Sequence, residues 1–218
     1  MFPTKDVITV SCSIHRLNSG FVSKEQSKYD KKYEGKESNS NMLYNHYFSD
    51  KKIEILTEDI QLAEEVIDYL KGLSFKAIER ELTEFETNVL KLVNSSEITK
   101  DKIGIASSLP KVYLNKVDQD NWTTRENQLS FTSQPIGDLG TRNTFNAKVE
   151  FVRYIPKTMS YLISCSVDDK HILKFFSDKK LTLNSNINIE GYIKSQNRGR
   201  YHNGIETIIN RINLSADS

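Results

Sequence analysis

The sequence contains no long apolar run. No stretch approaches the roughly 18 consecutive apolar residues that a bilayer-spanning helix requires. The first residues also lack the basic segment followed by an apolar segment that is typical of a secretory signal. We therefore expect a cytoplasmic protein that does not contact a membrane.

Cysteine is scarce, with Cys12 and Cys165 as the only two. Both lie with apolar residues on what look like buried faces of strands, in alternation with polar residues. Small core side chains are therefore the favoured interpretation, with a disulfide or a reactive thiol as the alternatives. A reducing compartment is the natural setting for such a chain.

Sequence signatures of enzymes are also missing. The four histidines are scattered, and there is no C-x-x-C, no H-E-x-x-H and no glycine-rich phosphate loop. Glu150, Asp168 and Asp169 could hold Mg²⁺, as acid clusters do in nucleases, but a hairpin turn explains the two aspartates more simply. We expect a non-enzymatic protein that uses no cofactor and no metal ion.

The last third of the chain alternates apolar and polar residues with the period of strands that have one buried face. Five such stretches follow one another: FNAKVEFVRYI, SYLISCSV, HILKFFS, INIEGYIKS and GIETIINRINL. Gly191 inside the fourth indicates a bulge or a tight bend, as small closed barrels need. With a longer connection between the third and fourth strands, the pattern predicts a small oligonucleotide/oligosaccharide-binding (OB) barrel.

The N-terminal part is less regular. Alternating apolar residues predict a strand over residues 7–17, which would pair with a distant strand. Residues 21–52 are polar, and lysines are interleaved with tyrosines between 21 and 41. We interpret this segment as a mobile, solvated loop, with a flexible nucleic-acid-binding arm as the alternative.

Two amphipathic helices are predicted next. The first begins at Thr57 and stops at Gly72, and the second opens with a capping box of Thr83 and Glu86. Pro110 interrupts the following apolar stretch, so we expect a short helix or turn there and then an extended segment.

The predicted fold class is α+β. A polar stretch at residues 118–144 separates the helical part from the barrel. We therefore expect a first region, residues 1–130, with the N-terminal strand, the polar basic loop and the helices, and an OB-like barrel at residues 131–218.

Charge is divided unevenly between these regions. Residues 141–214 carry 12 lysines and arginines against 6 aspartates and glutamates, whereas the remainder carries 18 against 23. A basic barrel on an acidic remainder favours a polyanionic partner for the barrel. Two solvated surfaces that attract one another remain the alternative.

Several short motifs resemble OB-type domains of tailed-bacteriophage proteins. The run SQPIGDLGTR at 133–142 is similar to the turn before the first strand there, and KFFS at 174–177 continues the similarity. Residues 191–211, with GYIK and YHNGIETIINR, resemble the last strands of those barrels. The chain departs from them at residues 155–159, where a glycine-rich turn is usual. The resemblance implies a phage-encoded nucleic-acid-binding module in the host cytoplasm, an accessory to replication, recombination or transcription.

Single-strand binding needs cations along a groove and aromatic rings on which bases stack. The loop before the last strand offers both and borders the usual OB binding face. The candidate contacts are Arg153, Lys170, Lys174, Phe176, Lys194, Arg198, Arg200, Tyr201 and His202. We expect single-stranded nucleic acid as the partner, DNA rather than RNA. A protein–protein interaction or assembly module that binds a viral or host polymerase complex stays open as the alternative.

Overall fold

The computed structural model describes residues 1–200 and 202–215, apart from the side chains of residues 76, 79, 156 and 215. Two compact units divide between Lys116 and Val117, earlier in the chain than the expected boundary after residue 130. Among the described residues, no helix is both long enough and apolar enough to cross a bilayer.

The first unit is helical and contains one short strand pair. Its helices are α1 (Thr4–Leu17), α2 (Lys24–Tyr29), α3 (Asn39–Phe48), α4 (Thr57–Lys71), α5 (Leu73–Glu79), α6 (Glu84–Asn94), α7 (Ile103–Ala106) and the start of α8 (Leu109–Ser130). Strands β1 (Phe2–Pro3) and β2 (Glu97–Ile98) pair antiparallel. An N-terminal strand therefore exists, but it is shorter and earlier than predicted.

The strand prediction for residues 7–17 is wrong, because this segment is α1. Every residue from Val7 to Ile14 is buried, so the alternation of apolar and small polar residues does not mark a solvent face. The buried hydroxyls of Ser11 and Ser13 donate to the carbonyl oxygens of Val7 and Thr9, four residues earlier, at 2.8 and 3.2 Å. These hydrogen bonds allow polar residues inside the core of the helical unit.

Residues 21–52 are more regular than the predicted loop. They form α2, a 3₁₀ turn and α3, and each of the two α-helices is capped by a serine. The Oγ atoms of Ser23 and Ser38 accept hydrogen bonds from the backbone N–H groups of Gln26 and Asn41. Leu43 on α3 is completely buried, which anchors the segment to the core of the unit.

The two predicted amphipathic helices are confirmed as α4 and α6. The capping box forms as expected: the Glu86 N–H donates to Thr83 Oγ1, and the Thr83 N–H donates to Glu86 Oε2 at 2.9 Å. Near the start of α4, burial alone would raise the pKa of Asp59. Hydrogen bonds from Arg16, from the Leu56 N–H and from Ser13 outweigh that effect, so its pKa lies below its ordinary value.

The break predicted at Pro110 is wrong. Pro110 is the second residue of α8, where its missing N–H would have no partner in the helix, and the helix runs on to Ser130. Residues 118–130, the first part of the polar stretch that was predicted to separate the two regions, are helical. They belong to the second unit, which begins at Val117.

The second unit confirms the predicted barrel. Its strands are β3 (Arg142–Ile155), β4 (Ser160–Val167), β5 (His171–Ser177), β6 (Asn186–Arg198) and β7 (Ile205–Ser215). They close in the order β3-β4-β5-β7-β6, and β6 pairs with β3. Only the β5–β7 pair is parallel among these strands. A closed five-stranded mixed barrel is consistent with an OB-like fold.

Local details of the barrel also match the sequence pattern. The pairing register of β6 with β7 shifts next to Gly191, where a Cβ atom would lie 2.7 Å from Ile209 Cδ1. Asp168 and Asp169 both have positive φ, as a two-residue hairpin turn requires. Cys12 and Cys165 are buried free thiols, and burial raises the pKa of each to about 12.

Candidate nucleic-acid interface

The outer face of β3, β4 and β5 is partly covered by the second half of α8. Trp122 stacks on Phe151 of β3, and Leu129 packs with Ile172 of β5 in the same apolar cluster. Strands two and three of an OB barrel usually form the face that binds oligonucleotides. In this chain its own helix occupies part of that face.

Charged side chains along α8 also pair with the barrel. The Arg125 guanidinium binds the carboxylates of Glu150 and Asp169, and Ser166 Oγ donates to Glu150 Oε1 at 2.8 Å. These ion pairs involve Glu150 and Asp169, two of the three acidic residues that had suggested a Mg²⁺ site. The polar sequence of α8 therefore reflects charged partners on the barrel.

Lys174 and His202, two of the predicted contacts, are held among carboxylates. Lys174 Nζ donates to Glu126 Oε1 at 2.6 Å and to Glu206 Oε1 at 2.7 Å, and its side chain is 17% exposed. His202 lies beside the same two carboxylates with its side chain 5% exposed. We call these four residues the His202 cluster. Neither side chain is presented to solvent as a phosphate contact would need to be.

Three further predicted residues lie on other parts of β3–β5. Arg153 and Phe176 are both cross-strand neighbours of Leu162, one row beyond the row that contains Phe151 and Lys174. Both are exposed, and Lys170 is exposed in the β4–β5 turn. This group offers one ring and two cations to solvent.

The remaining predicted contacts lie at the end of β6 and in the loop between β6 and β7. Lys194, Arg198 and Arg200 are all exposed. Tyr201 lies outside the residues that the structure describes. The backbone closes this loop with a hydrogen bond of 3.0 Å from the Gly199 N–H to the Gly204 carbonyl oxygen.

Beside this loop lies a cleft of about 720 Å³, which we call the Phe131 cleft. Its lining is Asn127, Ser130, Phe131, Ser133, Gln134, Arg198, His202, Asn203 and Ile205. Phe131 is 87% exposed, so its ring is open to a ligand. The cleft thus combines an aromatic face, a guanidinium and three side-chain amides.

The walls of the Phe131 cleft are held by hydrogen bonds from a serine side chain to the backbone and by a close approach at a glycine. Ser133 Oγ donates to the Ile205 carbonyl oxygen at 2.6 Å and accepts from the Ile172 N–H at 2.9 Å. A Cβ atom on Gly204 would lie 2.5 Å from Ser130 Cα, so the absence of a side chain allows β7 to start against the end of α8. The cleft therefore has a defined shape without a ligand.

Sequence patterns did not identify the residues that α8 and the segment after it contribute to this cleft. Phe131 directly follows α8, outside any strand, and Asn127 lies in the polar stretch that was predicted to separate the helical region from the barrel. The presence of an aromatic residue in a polar segment was the only available signal. The Phe131 side chain becomes a candidate only once α8 is known to pack on the barrel.

Comparison with known proteins finds no match, whether to a protein family, to a curated protein or to a solved structure. The resemblance to phage OB-type domains therefore stays a prediction. The geometry of the barrel and of the Phe131 cleft is what indicates a function.

Proposed function

We propose that this chain is a non-enzymatic protein that binds single-stranded nucleic acid, DNA in preference to RNA, in the Phe131 cleft. The observation that carries the proposal is an exposed aromatic ring, Phe131, in the same cleft as an exposed guanidinium, Arg198. Stacking on a ring tolerates any base, and a cation beside it neutralises the backbone. These are the two contacts that sequence-independent binding requires.

Each side chain has a defined role in this proposal. Phe131 stacks on a base, while Arg198, with Arg200 and Lys194 nearby along the chain, contacts phosphates. The amides of Asn127, Gln134 and Asn203 are placed to hydrogen-bond base edges or sugars. Lys174 and His202 are not included, because carboxylates surround them.

The excess of basic residues in the barrel supports the same proposal. Residues 141–214 carry twice as many basic as acidic residues. The resulting positive potential of the barrel favours the binding of a polyanion. Together with the resemblance to phage domains, this supports an accessory role in phage replication, recombination or transcription in the host cytoplasm.

The proposal is tested by titrating a labelled oligothymidine with the chain at two salt concentrations and following fluorescence anisotropy. Affinity should fall steeply as salt rises, because bound phosphates release counter-ions. An oligouridine of equal length measures the preference for DNA. Absence of binding at low salt, or an affinity that does not respond to salt, would remove the proposal.

A second candidate function, a protein-docking module, is favoured by helix α5. Phe75 and Ile78 are 73% and 83% exposed there, which is unusual for large apolar side chains near one another. We propose as the alternative that α5 binds a viral or host polymerase complex. Retention of that complex on the chain from a nuclease-treated lysate, and its loss in a Phe75→Ser, Ile78→Ser variant, would support this alternative.

A further inference from the structure

The His202 cluster brings together three side chains that are typical metal ligands. Glu126 projects from α8, His202 from the β6–β7 loop and Glu206 from β7, and one ligand atom from each lies within 4.8 Å of the others. The residues are far apart in sequence and converge through the fold. The cluster is therefore formed by the fold, unlike a run of acidic residues that are neighbours on one loop.

His202 provides an independent observation that points to a ligand. Its side chain is 5% exposed, and Nε2 lies 3.2 Å from Glu206 Oε1 and 3.7 Å from Glu126 Oε1. Among the described residues, neither ring nitrogen has a partner in hydrogen-bonding geometry. A buried imidazole that points at two carboxylates without a hydrogen bond is poorly satisfied by the protein alone.

The loop backbone is shaped around this imidazole. A Cβ atom on Gly199 would lie 2.2 Å from His202 Cε1 and 2.4 Å from Nε2, so only glycine leaves space for the ring. The Gly199 N–H to Gly204 carbonyl hydrogen bond holds the loop in that form. The position of the ring is therefore built into the loop.

We propose that Glu126, His202 and Glu206 bind a divalent transition-metal ion of the Zn²⁺ class. Imidazole with carboxylate suits Zn²⁺, Co²⁺ or Ni²⁺, whereas Mg²⁺ and Ca²⁺ prefer oxygen ligands alone. Three protein ligands leave a fourth position for water. Bound there, the ion joins α8 to the β6–β7 loop.

Lys174 is the competitor for this site. Its ammonium already hydrogen-bonds to one oxygen of each carboxylate and neutralises part of their charge. A metal ion takes those same oxygens, so it must displace the ammonium. Removing the Lys174 charge is therefore expected to strengthen metal binding. If these ion pairs had only a structural role, removing that charge would not be expected to strengthen it.

The test uses the untagged full chain and needs no nucleic acid. Zn²⁺ is titrated by calorimetry, and Co²⁺ is titrated while its visible absorption is recorded, with Mg²⁺ as the control ion. We expect one Zn²⁺ per chain. We expect Lys174→Met to raise the Zn²⁺ affinity, and His202→Ala or Glu206→Gln to lower it by at least about 10–100-fold, the loss that even indirect partners of a ligand produce.

Matched controls separate this site from adventitious binding. His171→Ala removes the other histidine of the barrel unit and should leave the affinity unchanged, and circular dichroism checks that each variant is folded. Glu206→Gln keeps the side-chain shape in case His202→Ala fails to fold. The proposal is overturned if the folded ligand variants bind Zn²⁺ as tightly as the parent chain, or if Lys174→Met does not raise the Zn²⁺ affinity. It is also overturned if neither the parent chain nor Lys174→Met binds Zn²⁺.

Discussion

The indole ring of Trp122 on α8 stacks on the ring of Phe151 on β3, with centroids 5.9 Å apart and planes inclined by 12°. This contact makes the second half of α8 part of the barrel unit. It also determines which surfaces remain open to a ligand, because the helix covers the middle of the β3–β5 face. The open regions there and beside it include the Arg153–Phe176 row and the Phe131 cleft.

Replacing Trp122 by alanine should destabilise the barrel unit by about 3–5 kcal/mol, as truncation of a buried aromatic residue usually does. Trp122 is the only tryptophan, so urea unfolding should be followed by circular dichroism. Phe131→Ala is the matched control, because its ring is exposed, and should change the free energy of unfolding by less than about 0.5 kcal/mol. Equal effects of the two substitutions would argue against packing of α8 on the barrel.

Replacing Gly204 by alanine should lower stability by about 1–3 kcal/mol, because the new Cβ meets backbone atoms of Ser130 that cannot move aside. The same change should weaken oligonucleotide binding, since it separates the two walls of the Phe131 cleft. Thermal unfolding and the anisotropy titration measure the two effects. Gly104→Ala, where no atom lies within 4 Å of the new Cβ, is the control and should be neutral or slightly stabilising. A Gly204→Ala chain as stable as that control would contradict the close contact.

Replacing Glu86 by glutamine should lower stability at neutral pH by roughly 1 kcal/mol, the usual value of a helix cap. Hydrogen bonds from Arg80 and then from the Thr83 N–H lower the pKa of Glu86 to about 2. Because the folded pKa is lowered, the stabilisation is present above the unfolded pKa, about 4.3, and is lost as the pH falls toward 2. Urea unfolding at both ends of that range measures the difference between the two chains. A difference that persists at pH 2 would show that the charge of Glu86 is not its cause.

The barrel was predictable because each of its strands has one face on the core and one outside. Ile163 and Cys165 on β4 alternate with Ser164 and Ser166, and Leu173 and Phe175 on β5 alternate with Lys174 and Phe176. A strand with one apolar face leaves that record in its sequence, even where the polar face is also buried, as at Ser164 and Ser166. Gly191 likewise marked the irregular pairing of β6.

The errors occurred where neighbouring elements, and not local patterns, decide the structure. Helix α1 is buried along most of its length, so the alternation of Ile8 and Val10 with small residues carried no helical period. The second half of α8 looked like a boundary between regions because it is polar, and Arg125 and Glu126 face ionic partners on the barrel in place of apolar ones.

The same limit applies to the candidate site. Residue type alone made Lys174 and His202 plausible phosphate contacts, and nothing near them in sequence indicated Glu126 on another element. Arg198 could be selected correctly as an exposed cation, but Phe131, which lines the same cleft, could not. Pairing of charges across elements is the information that a single sequence lacks.

The most direct test of binding in the Phe131 cleft compares oligothymidine affinity and its salt dependence for the parent chain, Phe131→Ala, Arg198→Ala and Lys148→Ala. Lys148 is the control, a half-exposed lysine on β3 that lies 4.0 Å from Glu150 and does not line the cleft. Phe131→Ala should lower affinity by about 1–3 kcal/mol at every salt concentration, as loss of one stacked base does. Arg198→Ala should lower affinity and reduce the salt slope by about one, as loss of one phosphate contact does, and Lys148→Ala should change neither. If both cleft variants bind as tightly as the parent chain, the Phe131 cleft is not the binding site.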